Sequence, residues 1–251
     1  VNRYTGELLL EQIKIYAFLG GIIALALLFI WIPIKLHFPS GTWRYRVTVE
    51  VVTPEGVKTG SAVREVRAFT DFRLGDHGGG GAGSTGEAVV VDLQERGLLF
   101  LLTSIDDYGT VFRAFPHPEG RGELTREGMA YYSNLKNART SVLSDQYRFQ
   151  IVRFRTPTDP LTVELVVGQQ FDPDTQLFAT VDRMKELFGE GVAIKDIIVE
   201  MTEEPVTNVI DSYLPWLQEV GGGYLDGRFS GGGPELSNIL HGGNFLSGRR
   251  R

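Results

Sequence analysis

The longest unbroken apolar stretch runs from Ile15 to Ile34, IYAFLGGIIALALLFIWIPI, without one charged side chain. About twenty residues is the length an α-helix needs to cross a hydrocarbon core of roughly 30 Å. An apolar surface all the way round also separates it from a globular core helix, which keeps a polar stripe. After Pro39, Ser40 and Gly41 the period changes to two. Trp43, Tyr45, Val47, Val49 and Val51 alternate with Arg44, Arg46, Thr48 and Glu50, the pattern of a half-buried strand. Thr53, Pro54, Glu55 and Gly56 supply turn chemistry before a second run from Val57 to Phe69, which predicts an antiparallel hairpin. Glu87 to Leu93 and Leu98 to Ser104 repeat the arrangement, with a run apolar enough for a fully buried strand.

Farther on, Met129, Tyr132, Leu135 and Ala138 fall three or four apart and predict a helix over Thr125 to Arg139, despite the cost of Gly128. Tyr147 to Arg155 and Leu161 to Val167 read as a strand pair across TPTDP, whose prolines cannot donate to a ladder. Asp172 as a cap, Pro173 at the first position and a stripe of Leu177, Val181, Met184 and Phe188 predict a second helix ending at Gly189; a strand from Val192 to Met201 follows. Past Leu217 the glycine triplets at 221–223 and 231–233 and the final RRR predict a flexible tail. Together these predict an α+β protein: one N-terminal transmembrane helix, then a soluble domain with a mainly antiparallel sheet and a few helices. The boundaries are 1–14 for a short flank, 15–34 for the span, 35–42 for a linker, 43–217 for the domain and 218–251 for the Gly-rich basic tail.

Lys14 and Lys35 bracket the span, and Tyr16 and Trp31 stand near its two ends, where amphipathic rings settle at headgroup level. A cleaved signal peptide has a shorter apolar region and a small-residue site, whereas Pro33, Ile34, Lys35 and Leu36 follow here, so the span is expected to be retained. Flanking charges nearly tie: Arg3 and Lys14 on one side, Lys35, Arg44 and Arg46 on the other. Long domains translocate largely regardless of such charges, which favours the N-terminus inside and the domain outside. Ala17 with Gly21, and Gly20 with Ala24, have the four-residue spacing that lets two helices approach closely, so a homo-oligomer through this helix is expected as one partner state, beside the bilayer itself.

Composition narrows the function more than it identifies one. With 42% hydrophobic and 22% charged residues the chain is foldable, and a net charge of −6 excludes a broad nucleic-acid footprint. No cysteine is present, which excludes disulfides and thiolate zinc sites. The stretches RYRVTVEVVTPEGVKTGSAVREVR (44–67), TPTDPLTVELV (156–166) and LFGEGVAIKDIIVEMTEEPVT (187–207), with LPWL at 214–217, resemble uncharacterised bacterial proteins that carry an N-terminal hydrophobic segment. That resemblance implies a bacterial envelope setting and brings no activity and no site residue; together with the domain length, it leads to the expectation of an anchor in the inner membrane, a domain in the periplasm and an envelope protein as partner.

The segment DHGGGGAGSTGE, 76–87, contains His77 followed by glycines, like an oxyanion-hole loop, and Ser84 in a variant of the Gly-x-Ser-x-Gly elbow. Both elements sharing one loop ahead of a predicted strand argues against a hydrolase, whose elbow joins a strand to a helix. Only His117, between two prolines, and His241, in the tail, lie downstream of Ser84. The same segment fits G-x-G-x-x-G but leads into a strand, so dinucleotide binding is not expected and a mobile loop between strands is. His37, His77, His117 and His241 are scattered, Asp172 and Asp174 lack the rest of a calcium loop, and the adjacent pairs Asp106/Asp107 and Glu203/Glu204 read as solvated. No metal or cofactor is expected. The leading expectation is a non-catalytic binding or structural module, with a hydrolase built around Ser84 and His77 as the alternative.

Overall fold

The computed structural model describes residues 2–37, 39–70, 80–103, 107–122, 124–135, 140–143, 149–172, 175–229, 233 and 235–248. The helix α1 covers Asn2–His37, so it begins well ahead of the apolar span; Glu7, Leu8, Leu9, Leu10 and Glu11 are good helix formers that carry it back through the flank. From Gln12 to Phe29 no residue of α1 is buried, and among the described residues it is the one helix long and apolar enough to cross a membrane.

The first predicted hairpin is present with every rung in place. Strands β1 (Ser40–Thr53) and β2 (Gly56–Phe69) pair antiparallel from Ser40 with Phe69 to Thr53 with Gly56. Thr53 Oγ1 donates to the Gly56 carbonyl at 2.7 Å, and Gly56 takes a positive φ of 122° that the turn requires. Around this hairpin lie β3 (Gly81–Glu87), β10 (Ala193–Thr202), β6 (Thr140–Leu143) and β11 (Leu246–Ser247), giving a six-stranded sheet in the order β11-β3-β2-β1-β10-β6. A second sheet has the order β4-β5-β7-β8-β9, from β4 (Val89–Asp92), β5 (Leu98–Leu101), β7 (Ile151–Phe154), β8 (Val163–Asp172) and β9 (Leu177–Asp182). All the named pairings are antiparallel.

The odd residues of β1, Trp43 to Val51, pack with Val89, Val91, Leu99, Leu101 and Ile151 of the second sheet in one core. Helices α2 (Asp107–Ala114) and α3 (Arg126–Asn134) join this core through Val111, Ala114, Met129 and Tyr132, with Phe115 just past α2; the sequence pattern does not predict α2. Thr125 caps α3, accepting from Gly128 N at 3.0 Å. Gly128 is needed despite its helix cost, because a Cβ there would lie 2.1 Å from the Gly122 carbonyl. Gly60 has the same role between the sheets, where a Cβ would come within 1.9 Å of the Val90 carbonyl oxygen.

Two expectations are overturned. The helix starting at Asp172 is a hairpin: β8 continues to Asp172 and pairs with β9, Asp172 opposite Leu177. Phe178, Thr180 and Val181 are strand formers, and the extension of β8 offers them a ladder that the helical stripe cannot match. Thr175 Oγ1 donates to Asp172 Oδ2 at 2.9 Å in the turn; Pro173 and Asp174 lie outside the described residues. Only α4 (Met184–Phe188) is helical, and the carboxylate at its start is Asp182, accepting from Met184 N at 3.1 Å.

The second correction concerns the tail. The described residues between 218 and 248 do not trail away from the domain. After α5 (Leu217–Val220) the chain lies across the outer face of the second sheet, where Leu225, Leu240 and Phe245 are buried with Phe100, Val152, Phe154 and Trp216. Phe245 sits among three aromatic rings, those of Phe100, Phe154 and Trp216, with centroids at 6.4, 5.7 and 5.8 Å. The second sheet is apolar on both faces, and without this cover Phe100 and Phe154 would face water.

Candidate functional site

The folded C-terminal segment builds a cavity. Two glycine-rich turns cross there: Gly242 N donates to the Gly223 carbonyl at 3.0 Å, and a Cβ on Gly242 would stand 1.9 Å from the Gly221 carbonyl oxygen. The crossing leaves a cleft of about 610 Å³ walled by glycine backbone and by Leu217, Gln218, Leu246 and Ser247. None of the residues lining it is ionisable. Peptide groups, two leucines, a carboxamide and a hydroxyl suit a neutral ligand held by backbone hydrogen bonds and apolar contact, within the usual size of about 300–1,000 Å³ for small-molecule sites.

Ser84 lies close to this region but not as an elbow. It stands in the middle of β3, opposite Val66, so the expected mobile loop is a strand over Gly81–Glu87. A nucleophile elbow strains its serine, whereas among described non-glycine residues only Gln94 and Gln176 have positive φ. His77 and Asp76 lie outside the described residues. His117 accepts from Glu119 N at 3.1 Å and packs on Tyr131. His241, expected in a loose tail, is held in the fold: its N–H donates to Asn244 Oδ1 at 2.9 Å, and its backbone bridges to Tyr224. No group of three or more His, Asp or Glu suited to a metal ion occurs among the described residues.

The polar interior is elsewhere. Arg64 falls on the inward face of β2, opposite Tyr45, and is fully buried; its Nε donates to the Glu87 carbonyl at 3.0 Å within the first sheet, and its Nη2 donates to the Leu101 and Leu102 carbonyls at 3.4 Å, tying the first sheet to the second. The buried Glu87 carboxylate accepts from Val209 N at 2.8 Å and Ile210 N at 3.0 Å, fixing the start of the C-terminal segment. A cavity of about 310 Å³ lies at the start of β1, beside the Arg44–Glu65 ion pair. Burial raises the Glu65 pKa, but hydrogen bonds from Arg44 at 2.7 Å and Arg67 at 2.8 Å outweigh it and leave it lowered. Trp43 Nε1 and Ser133 Oγ, from two residues lining this cavity, are closed to solvent and have no hydrogen-bond partner among the described residues. Of the carboxylates read as solvated, Glu204 is paired with Arg46, which raises the arginine's pKa and lowers its own. Asp106 lies outside the described residues.

On α1, Tyr16, Ala17, Gly20, Gly21 and Ala24 are all exposed, and nothing lies within 4 Å of a Cβ built on Gly20 or Gly21. Lys14 is exposed on the same helix, and Trp31 and Lys35 belong to its last two turns. The cleft is hidden in the sequence because the glycine content of this segment masks the large apolar residues among the glycines. Leu225, Leu240, Phe245 and Leu246 are what a solvated linker lacks, and they were the available signal. No family model matches the chain, and neither a curated protein nor a solved structure does.

Proposed function

We propose that this chain is a single-pass anchored protein of the bacterial envelope, whose domain is a non-catalytic binding module with the glycine-walled cleft as its ligand site. The observation that carries the reading is α1: its apolar window is exposed from Gln12 to Phe29 and buries nothing against the domain, so in water it would be a large unpaid hydrophobic surface. A bilayer supplies the missing apolar solvent. The domain starts at Ser40, three residues past the end of the helix at His37, which ties it close to the membrane surface. Binding rather than chemistry fits the cleft, because proton transfer needs a titratable group within hydrogen-bond reach and none lines it. Domain length and the resemblance to bacterial proteins support the inner membrane with the domain in the periplasm.

The test is a binding screen on the detergent-solubilised full chain, with uncharged peptides and other neutral small molecules followed by amide chemical shifts. Saturable shifts of Gly221, Gly222, Gly242 and Gly243 support the cleft. Shifts confined to other surfaces would move the site elsewhere.

A further inference from the structure

We propose that β9 is the contact strand of a symmetric dimer, in which two copies of the five-stranded sheet join edge to edge. Strand β9 ends that sheet and pairs only with β8, so its other edge is open among the described residues. Natural proteins protect such edges with shortness, charge, proline or a bulge. The six-stranded sheet follows this rule, since its edge strands β11 and β6 have two and four residues. Strand β9 has six residues, Leu177 to Val181 are uncharged and free of proline, and its register with β8 runs unbroken from Val167–Asp182 to Asp172–Leu177.

Past Gly168 the β8–β9 ribbon is exposed on both faces: Phe171 at 46%, Leu177 at 67% and Phe178 at 68%. The Phe171 and Phe178 rings touch across the ribbon at 5.4 Å. A lone two-stranded ribbon is at best marginally stable in water, and further strands are what stabilise it. The strand is complementary to itself. Antiparallel pairing about Ala179 places Phe178 opposite Thr180 and Leu177 opposite Val181 of the second copy. These are the aromatic or aliphatic with β-branched pairs that stabilise sheets, and no like charges meet. The absence of charge along the edge also gives an acidic or basic partner nothing to recognise. A two-fold axis then makes the contact closed, with the same patch used by both copies.

The experiment uses the detergent-solubilised full chain and measures protein mass against concentration. Wild type is expected to dimerise. Phe178→Lys with Thr180→Lys sets lysine against lysine at both facing positions and removes the aromatic contact, so dimerisation weakens by about tenfold or more. The far-UV spectrum stays unchanged, since both positions are exposed. Mixing that variant with Phe178→Glu/Thr180→Glu restores a dimer containing one copy of each, which a merely misfolded ribbon would not do. A monomeric wild type, a dimer that survives the lysine variant, or a mixture that stays monomeric overturns the proposal; the surviving dimer would move the contact to another surface, such as α1.

Discussion

Replacing Phe245 by alanine tests the largest departure of the structure from a simple reading of the sequence, the packing of the C-terminal segment. Phe245 is fully buried, its ring 5.7 Å from Phe154 and 5.8 Å from Trp216, and its backbone carbonyl accepts from Ala88 N at 2.8 Å where β3 gives way to β4. Truncating a buried phenylalanine costs about 3–5 kcal/mol in lost transfer free energy and unfilled cavity. A protein of this size loses roughly 2–4 °C per kcal/mol, so the midpoint should fall by about 6–20 °C. The assay is thermal or urea unfolding of the full chain in detergent, with Phe229→Ala as the internal control. Phe229 belongs to the same segment but is 94% exposed, and its truncation should stay within about 0.5 kcal/mol. Equal, negligible effects of the two substitutions would refute the packing of Leu225, Leu240 and Phe245 on the second sheet and, with it, the cleft.

Gly60→Ala should destabilise by about 3 kcal/mol or more, because the new Cβ meets the Val90 backbone, whereas Gly83→Ala, with nothing within 4 Å, should stay within about 0.5 kcal/mol; unfolding midpoints that do not separate the two would contradict the contact between sheets. Ser133→Ala removes a buried hydroxyl with no partner and should stabilise by about 1 kcal/mol, an outcome reversed if that oxygen carries a needed hydrogen bond. The hydrogen bond from Arg96, 2.6 Å from Glu55, holds the Glu55 carboxyl down to about 2 from an ordinary 4.5. Because the folded value is depressed, its contribution is complete above pH 4.5 and is lost as pH falls through about 2. In an NMR titration of the full chain, Arg96→Gln should return the Glu55 midpoint toward 4.5; identical midpoints in both proteins would exclude the pair in solution.

Local rules were enough where one physical signal dominated. The alternation from Trp43 to Val51 and the turn at Pro54 and Gly56 specify β1 and β2 almost without tertiary information, and the charge-free stretch from Ile15 specifies α1. The reading failed where a segment satisfied two patterns. Leu177, Val181, Met184 and Phe188 make a helical stripe, yet LFATV is also a strand, and only the exposed ladder of β8 decides between them. Ser84 lies in a glycine-rich stretch with the composition of a loop, and β2 and β11 on its two sides make that stretch a strand. Arg64 occupies an inward register position that alternation assigns to the core, although its charge argues otherwise until the carbonyl of Glu87 is seen to receive it. The cleft was the least legible feature, because it arises from two glycine turns separated along the chain and crossing at Gly221 and Gly242.

The central claim, a domain anchored through α1 and held across the membrane from its N-terminus, is tested most directly by side-specific labelling. The chain has no cysteine, so Thr5→Cys and Thr59→Cys each introduce one reactive thiol, the latter at an exposed position of β2. In intact bacterial cells with a permeable outer membrane, a maleimide that cannot cross bilayers should label Thr59→Cys, and should label Thr5→Cys only after lysis. Both protein variants should stay with the membranes in alkaline carbonate. Labelling of both thiols on one side, or release of the protein by carbonate, would contradict the span.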